Sequence, residues 1–372
     1  MSAVRSVRGV KLAYGEHYER DALAVVGGAE HPMEVILVEV ETTNGAVGYG
    51  EAICYGVAEG VLATVNRVLG RLVVGEDFHD VARLWDRMYR ASFRVGRRGI
   101  LVSALSGIDL ALWDLLGKEL GAPVYRLLGG SGRPIKGYIT GGYYREGKGI
   151  PQLVEEVRGY LREGFDTVKI KIGGLGVGED VKRLEALREE FGERLRMAVD
   201  ANNVYDFPTA LRMGRELERL GVLFFEEPVP TDHPRLSAEL ARSLDVPIAG
   251  YETAATLYEY RDLIAQGAVD IVQADAAWNG GITEMWRIGA LARAYGLPVI
   301  PHYSAGGVGF VASLHTALAI GSPIIEFHLK PNPLRLGLAG DAIAYENGYF
   351  KPPPGPGLGV KPDPKVVEEY RA

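Results

Sequence analysis

The sequence predicts an α/β protein, a barrel of parallel strands and helices preceded by a smaller α+β domain. Three observations lead there. After Pro134, short apolar strands alternate with charged helical stretches over about 200 residues. Chemically active side chains recur at the ends of those strands, about one per β/α unit. The first 130 residues carry neither feature and read as a separate, partly antiparallel unit.

In that first unit, residues 34–41 (EVILVEVE) alternate as a strand with one buried face. Asn44-Gly45 supplies a tight hairpin turn, and residues 47–52 return alongside. Helices are expected near 60–72, 80–92 and 101–120; the last is apolar on most faces and stops at Gly121-Ala122-Pro123. The stretch 129–134 (GGSGRP) marks a boundary. The expected division is a capping domain over 1–132, a barrel over 133–330, and a C-terminal segment over 331–372.

Barrel strands are expected at 135–140, 167–172, 196–201, 223–226, 247–251, 271–274, 299–302 and 324–327. Helices fall between them, for example at 150–163, 180–191 and 209–220. A doubly wound sheet would use the same alternation, but no glycine-rich nucleotide fingerprint follows the first strand. Residues 352–364 are rich in proline and glycine and read as an extended tail.

The 372 residues suffice for a large core. A net charge of −7 argues against nucleic acid as a partner. No apolar run of membrane-spanning length and no signal-peptide core is evident, which argues against a membrane. The single Cys54 excludes an internal disulfide and fits a reducing compartment, so a cytoplasmic location is expected.

The chemistry is centred on residues 167–174 (TVKIKIGG). Side chains two apart in a strand share a face, so Lys169 and Lys171 point together while Val168, Ile170 and Ile172 face helices. Two buried ammonium groups repel each other, and at least one pKa is expected to fall, which prepares a base. Beyond Lys171 the strand-end residues are Asp200, Glu226, Glu252, Asp275, His302 and Glu326, at steps of 29, 26, 26, 23, 27 and 24.

Asp200, Glu226 and Glu252 end three successive strands; converging carboxylates call for a hard dication, and oxygen ligands suit Mg²⁺. Glu226 and Glu227 are neighbours, so only one can point inward. His302 and Asp275 end adjacent strands and form a potential acid/base pair. Glu326 is either a hydrogen-bonding acid or a partner for Lys or Arg.

The motifs KIK (169–171), VDANN (199–203), FFEEP (224–228), GYET (250–253), QADAAWNGGITE (273–284) and PHYSAGG (301–307) resemble the enolase superfamily, in its mandelate racemase-like subgroup. That resemblance spans nearly the whole chain. It implies a modified TIM barrel, (β/α)7β, under an N-terminal cap, with a tail returning to the cap. It also implies abstraction of a proton alpha to a carboxylate, with the enediolate stabilised by one Mg²⁺ per site, for which Mn²⁺ could substitute. By position, Asp200, Glu226 and Glu252 would hold the metal. Lys171 would be the base with Lys169 tuning it, His302 with Asp275 would act on the opposite face, and Glu326 would bond the substrate carboxylate.

Cycloisomerase-like and dipeptide-epimerase relatives place a second catalytic lysine near the sixth strand, and no Lys lies between Lys182 and Lys330. The implied reaction is dehydration of an aldonic or aldaric acid to a 2-keto-3-deoxy acid. The alternatives are racemisation or epimerisation of a 2-hydroxy acid, or dehydration of a hydroxy amino acid. Expected substrate contacts are Asn202, Tyr14, His17, Tyr55, Tyr143, Trp278 and Tyr303, an aromatic surface with hydrogen-bonding tips. Relatives are commonly symmetric, so a homo-oligomer is expected.

Overall fold

The computed structural model describes residues 3–15 and 33–372. Three strands open it: β1 (Val4–Tyr14), β2 (Met33–Thr42) and β3 (Val47–Ile53), paired antiparallel in the order β1-β2-β3. The turn at Asn44-Gly45 joins β2 to β3 as expected, with Gly45 at φ 85°. The helix Ile100–Glu119 lies on this sheet. By length and composition this helix could cross a membrane, contrary to the expectation that no such run exists. Its apolar faces go instead to protein, since 83% of its most apolar window is buried.

The barrel strands are β4 (Ile135–Gly141), β5 (Thr167–Lys171), β6 (Arg196–Asp200), β7 (Phe225–Glu226), β8 (Ile248–Gly250), β9 (Ile271–Val272) and β10 (Ile324–Phe327). They pair in parallel from β4 through β9, and β10 pairs with β4 from the other side. The strand expected at 299–302 is reduced to one parallel bridge, Val272 to Val299. Pro298 and Pro301 explain this, because neither has an N–H to extend a ladder. Ile300 and His302 still donate to Val272 and Ala274, at 2.9 and 3.1 Å, so the segment stays in line.

Strand alternation stacks the barrel interior in layers. Tyr138, Ala198, Phe224, Ile271, Ile300 and Ile324 form a buried plug. Two residues further along each strand stand Thr140, Asp200, Glu226, Gln273, His302 and Glu326. The apolar layer is thus the floor beneath a polar one. On the outer face Val168, Ile170, Met197 and Val199 pack in the cluster that includes Leu184, Leu187, Met213 and Leu217 of the surrounding helices.

A feature the sequence did not suggest is the hairpin of β11 (Tyr345–Glu346) and β12 (Tyr349–Phe350), antiparallel to the start of β4. The tail then runs extended to the helix Pro364–Glu369, where Asp363 caps the Lys365 N–H at 2.9 Å. Ala13 donates to Tyr370 O at 2.8 Å and Ala372 to Lys11 O at 3.2 Å, so the tail ends against β1.

Candidate active site

Lys169 and Lys171 both point into the barrel mouth. Lys169 Nζ lies 2.8 Å from each Glu226 oxygen and 2.9 Å from Glu326 Oε1. Lys171 Nζ pairs with Asp200 and donates to Asn202 Oδ1 at 2.8 Å. Burial disfavours both ammonium groups, yet Glu226 and Glu326 around Lys169, and Asp200 beside Lys171, outweigh it. Both pKa values are therefore raised, which corrects the expectation that one would fall. The two-lysine repulsion is present, but it is smaller than the pull of Asp200.

His302 follows Pro301, and its Nδ1 lies 2.9 Å from Asp275 Oδ2. Its Nε2 lies 3.1 Å from Glu252 Oε2. Burial works against the imidazolium, but Glu252 first and then the bond to Asp275 raise the pKa to about 10. Glu326 accepts from Thr140 Oγ1 and from the Tyr303 N–H at 3.2 Å. Burial opposes its charge, but Lys169, then His302, hold its carboxyl well below the usual range.

Of the neighbouring Glu226 and Glu227, Glu226 points inward. Glu227, at φ 40°, turns to accept from Asn203 Nδ2 at 2.6 Å and the Tyr251 N–H at 3.0 Å. It thereby ties together the loops that follow β6, β7 and β8. Burial, then the charges of Glu252 and Asp200, push it up to about 8.

No group of three or more metal-ligand side chains among the described residues is arranged to hold an ion. The reason is local: Lys169 takes Glu226, Lys171 takes Asp200 and His302 takes Glu252. The donor set nevertheless fits a hard dication. All three groups are carboxylates at consecutive strand ends, and Asp200 sits opposite Glu226 in register. Burial and the charge of Asp200 push Glu226 well above its ordinary pKa, the repulsion a cation relieves.

The predicted substrate contacts divide. Asn202 touches Lys171, and the Tyr143 ring lies 5.6 Å from its Nζ. Tyr55 of the cap meets Trp278 of the barrel edge to face, at 5.2 Å between ring centroids. Tyr14 is instead placed against Tyr370 of the tail, at 5.8 Å. Tyr303 is also corrected: its ring is buried between Phe310 and Phe327, and its hydroxyl lies 3.0 Å from Arg335 Nε. A tyrosine following a strand-end histidine alternates to the opposite face, which explains both. His17 lies outside the described residues.

Thr140 and Gln273 were missed. Gln273 Nε2 donates to Glu226 Oε2 at 2.6 Å. Both lie two residues beyond a plug side chain, so the alternation that placed Asp200 would have placed them.

Two family models cover most of the chain: the mandelate racemase/muconate lactonizing enzyme N-terminal domain over residues 17–129, and the enolase C-terminal domain-like over 152–366. An arabinonate dehydratase of Saccharolobus solfataricus is 50% identical over 369 residues, covering 99% of both chains. The crystal structure of a 3,6-anhydro-D-galactonate cycloisomerase from Zobellia galactanivorans superposes with a TM-score of 0.89 at 30% identity, covering 100% of this chain and 99% of the other. A racemase from Streptomyces coelicolor with bound magnesium gives 0.89 at 26% identity, over 99% of this chain and 100% of its own. With both domain models matched in order, and a relative aligned from end to end, the chain belongs to the mandelate racemase/muconate lactonizing enzyme family of the enolase superfamily.

Proposed function

We propose that the protein is a hydro-lyase, a Mg²⁺-dependent dehydratase that converts an aldonic or aldaric acid into a 2-keto-3-deoxy acid. The observation that carries this is the placement of two different proton-transfer groups about one carboxylate cluster. Lys171 stands by Asp200 at one end, and the His302–Asp275 pair stands by Glu252 at the other. The 50% identity to an arabinonate dehydratase supports the sugar-acid class.

In this reading Asp200, Glu226 and Glu252 would hold the metal, which would supply the positive charge that neutralises them and a Lewis acid for the substrate carboxylate. The acids that now raise Lys171 would then be engaged elsewhere, leaving burial and Lys169 to favour its neutral amine. Lys171 takes the alpha proton and Asn202 keeps its Nζ in place. His302 gives its Nε2 proton to the departing beta-hydroxyl, while Asp275 holds Nδ1 and the ring orientation. Glu326, fixed by Thr140 and the Tyr303 N–H, faces the charge that builds on the substrate carboxylate. Tyr143, Tyr55 and Trp278 would read hydroxyl stereochemistry.

The test is a panel of aldonic and aldaric acids, arabinonate first, incubated with Mg²⁺ and assayed for 2-keto-3-deoxy products as semicarbazones. We expect a product that disappears on chelation and returns on Mg²⁺ addition. Silence across the panel, with deuterium still entering the alpha position, would replace dehydration by racemisation or another isomerisation.

A further inference from the structure

The acid/base pair His302–Asp275 is followed in the chain by two loops, and the cap grips both. In the first, Glu51 of β3 accepts from the Gly306 N–H at 2.5 Å and the Val308 N–H at 3.2 Å, at the start of the helix Gly307–Ile320. In the second, Asp109 of the cap helix accepts from the Thr283 N–H at 3.0 Å and its hydroxyl at 2.6 Å. That is the first turn of the helix Gly281–Ala294. Ser106 accepts from the Gly280 N–H at 2.9 Å, and the Trp85 indole donates to Gly280 O at 2.7 Å.

Both acids are wholly buried, so neither is a surface contact. Their close fit requires glycine: a Cβ on Gly281 would fall 2.2 Å from Asp109 Oδ2, and one on Gly306 would fall 2.7 Å from Glu51 Oε2. The glycine pairs of NGG and SAGG thus admit cap carboxyl groups to two helix N-termini, whose backbone N–H groups favour negative charge against the burial that pushes each acid up to about 7.

We propose that Glu51 and Asp109 are positioning residues for catalysis: the cap sets the His302–Asp275 geometry. Gly306 is four residues from His302, and Asp275 reaches the second loop through its own bonds. Its carboxylate accepts from the Ala277 N–H at 2.7 Å, and its N–H donates to Asn279 beside Gly280. A shift of either loop would therefore move the pair. This rests on the dehydratase reading only for its kinetic arm.

The experiment compares Glu51→Gln with Asp114→Asn. Asp114 is a buried acid of the same cap helix that bonds the Tyr49 and Leu358 N–H groups and touches neither loop. Two readouts are taken on metal-loaded, full-length protein. One is the low-field proton resonance of the His302 Nδ1–H bond to Asp275, assigned by its loss in His302→Asn. The other is the ratio of dehydration to alpha-deuterium exchange on the substrate found in the panel.

We expect Glu51→Gln to shift or erase the resonance and to lower dehydration roughly 10²-fold while exchange is kept. Asp114→Asn should leave both unchanged. The proposal is overturned if Glu51→Gln keeps the resonance, or if Asp114→Asn removes it equally. If Glu51→Gln does not fold, Thr283→Val, which deletes the hydroxyl bond to Asp109, takes its place with the same expectations. If no acid is turned over, the dehydratase reading fails, and the resonance alone decides this one.

Discussion

Around Lys171, the bracing comes from the barrel itself. Arg183 donates to Lys171 O at 3.0 Å and to Gly142 O at 2.6 Å, and pairs with Asp180 at 2.8 Å. Asp180 in turn accepts from the Gly173 N–H at 2.8 Å. Around His302, the corresponding bracing comes from the cap through Glu51 and Asp109. The strands differ accordingly. β5 has a five-residue ladder on β6, whereas Pro298 and Pro301 leave the His302 segment a single bridge. The segment with the shorter ladder runs into a loop whose N–H groups are held by a buried carboxylate of the cap.

The largest effects should separate the two halves chemically. Lys171→Ala should cost about 10²–10⁴-fold in both alpha-deuterium exchange and dehydration, since it removes the group that takes the alpha proton. His302→Asn should abolish dehydration but retain exchange. Proton NMR of the substrate in deuterium oxide reads the first step, and the semicarbazone assay reads the second. If His302→Asn instead lost exchange while Lys171→Ala kept it, the base and acid would have to trade places.

How far each half was legible in the sequence follows from the same contrast. Lys169, Lys171, Asp200, Glu226, Asp275 and His302 could be placed because a strand repeats every two residues and a β/α unit repeats at near-constant length. Glu326 needed only the last strand. The cap's contribution was invisible, because Glu51 lies 255 residues from Gly306 and no periodicity joins them. Asp109 is one of several polar residues on a largely apolar helix, and nothing in its spacing singles it out. Tyr303 failed for a related reason: residue type suggested a substrate contact, but packing against Phe310 and Phe327 decided where the ring went. The lysine pKa values were misjudged because repulsion was counted and the carboxylates around each lysine were not.

The next effect tests the lysine half alone. Arg183→Met leaves Asp180 buried without its cation, and breaking such a pair costs about 3–5 kcal/mol. Urea unfolding at pH 7 should show that loss. In the folded fraction, exchange and dehydration should fall together, because the Lys171 end of β5 is loosened. A split like that expected for Glu51→Gln would mean that the two halves are not braced separately.

The smallest effect concerns acid. His315 lies on the helix that Glu51 caps. Its Nδ1 accepts from the Tyr125 N–H at 3.0 Å, and its Nε2–H donates to Leu358 O at 3.1 Å, so the buried ring is neutral. Burial lowers its pKa to about 4 from 6.5. The sign follows directly. Above pH 6.5 both folded and unfolded chains carry a neutral ring, and the contribution to stability is complete. Between pH 6.5 and 4 only the unfolded chain takes up the proton, so stability falls as pH falls, by about 3 kcal/mol in all. His315→Gln should lower stability at pH 7 but flatten this dependence, as read from urea midpoints at pH 7 and pH 4.5. An equally steep loss in the variant would place the acid sensitivity elsewhere.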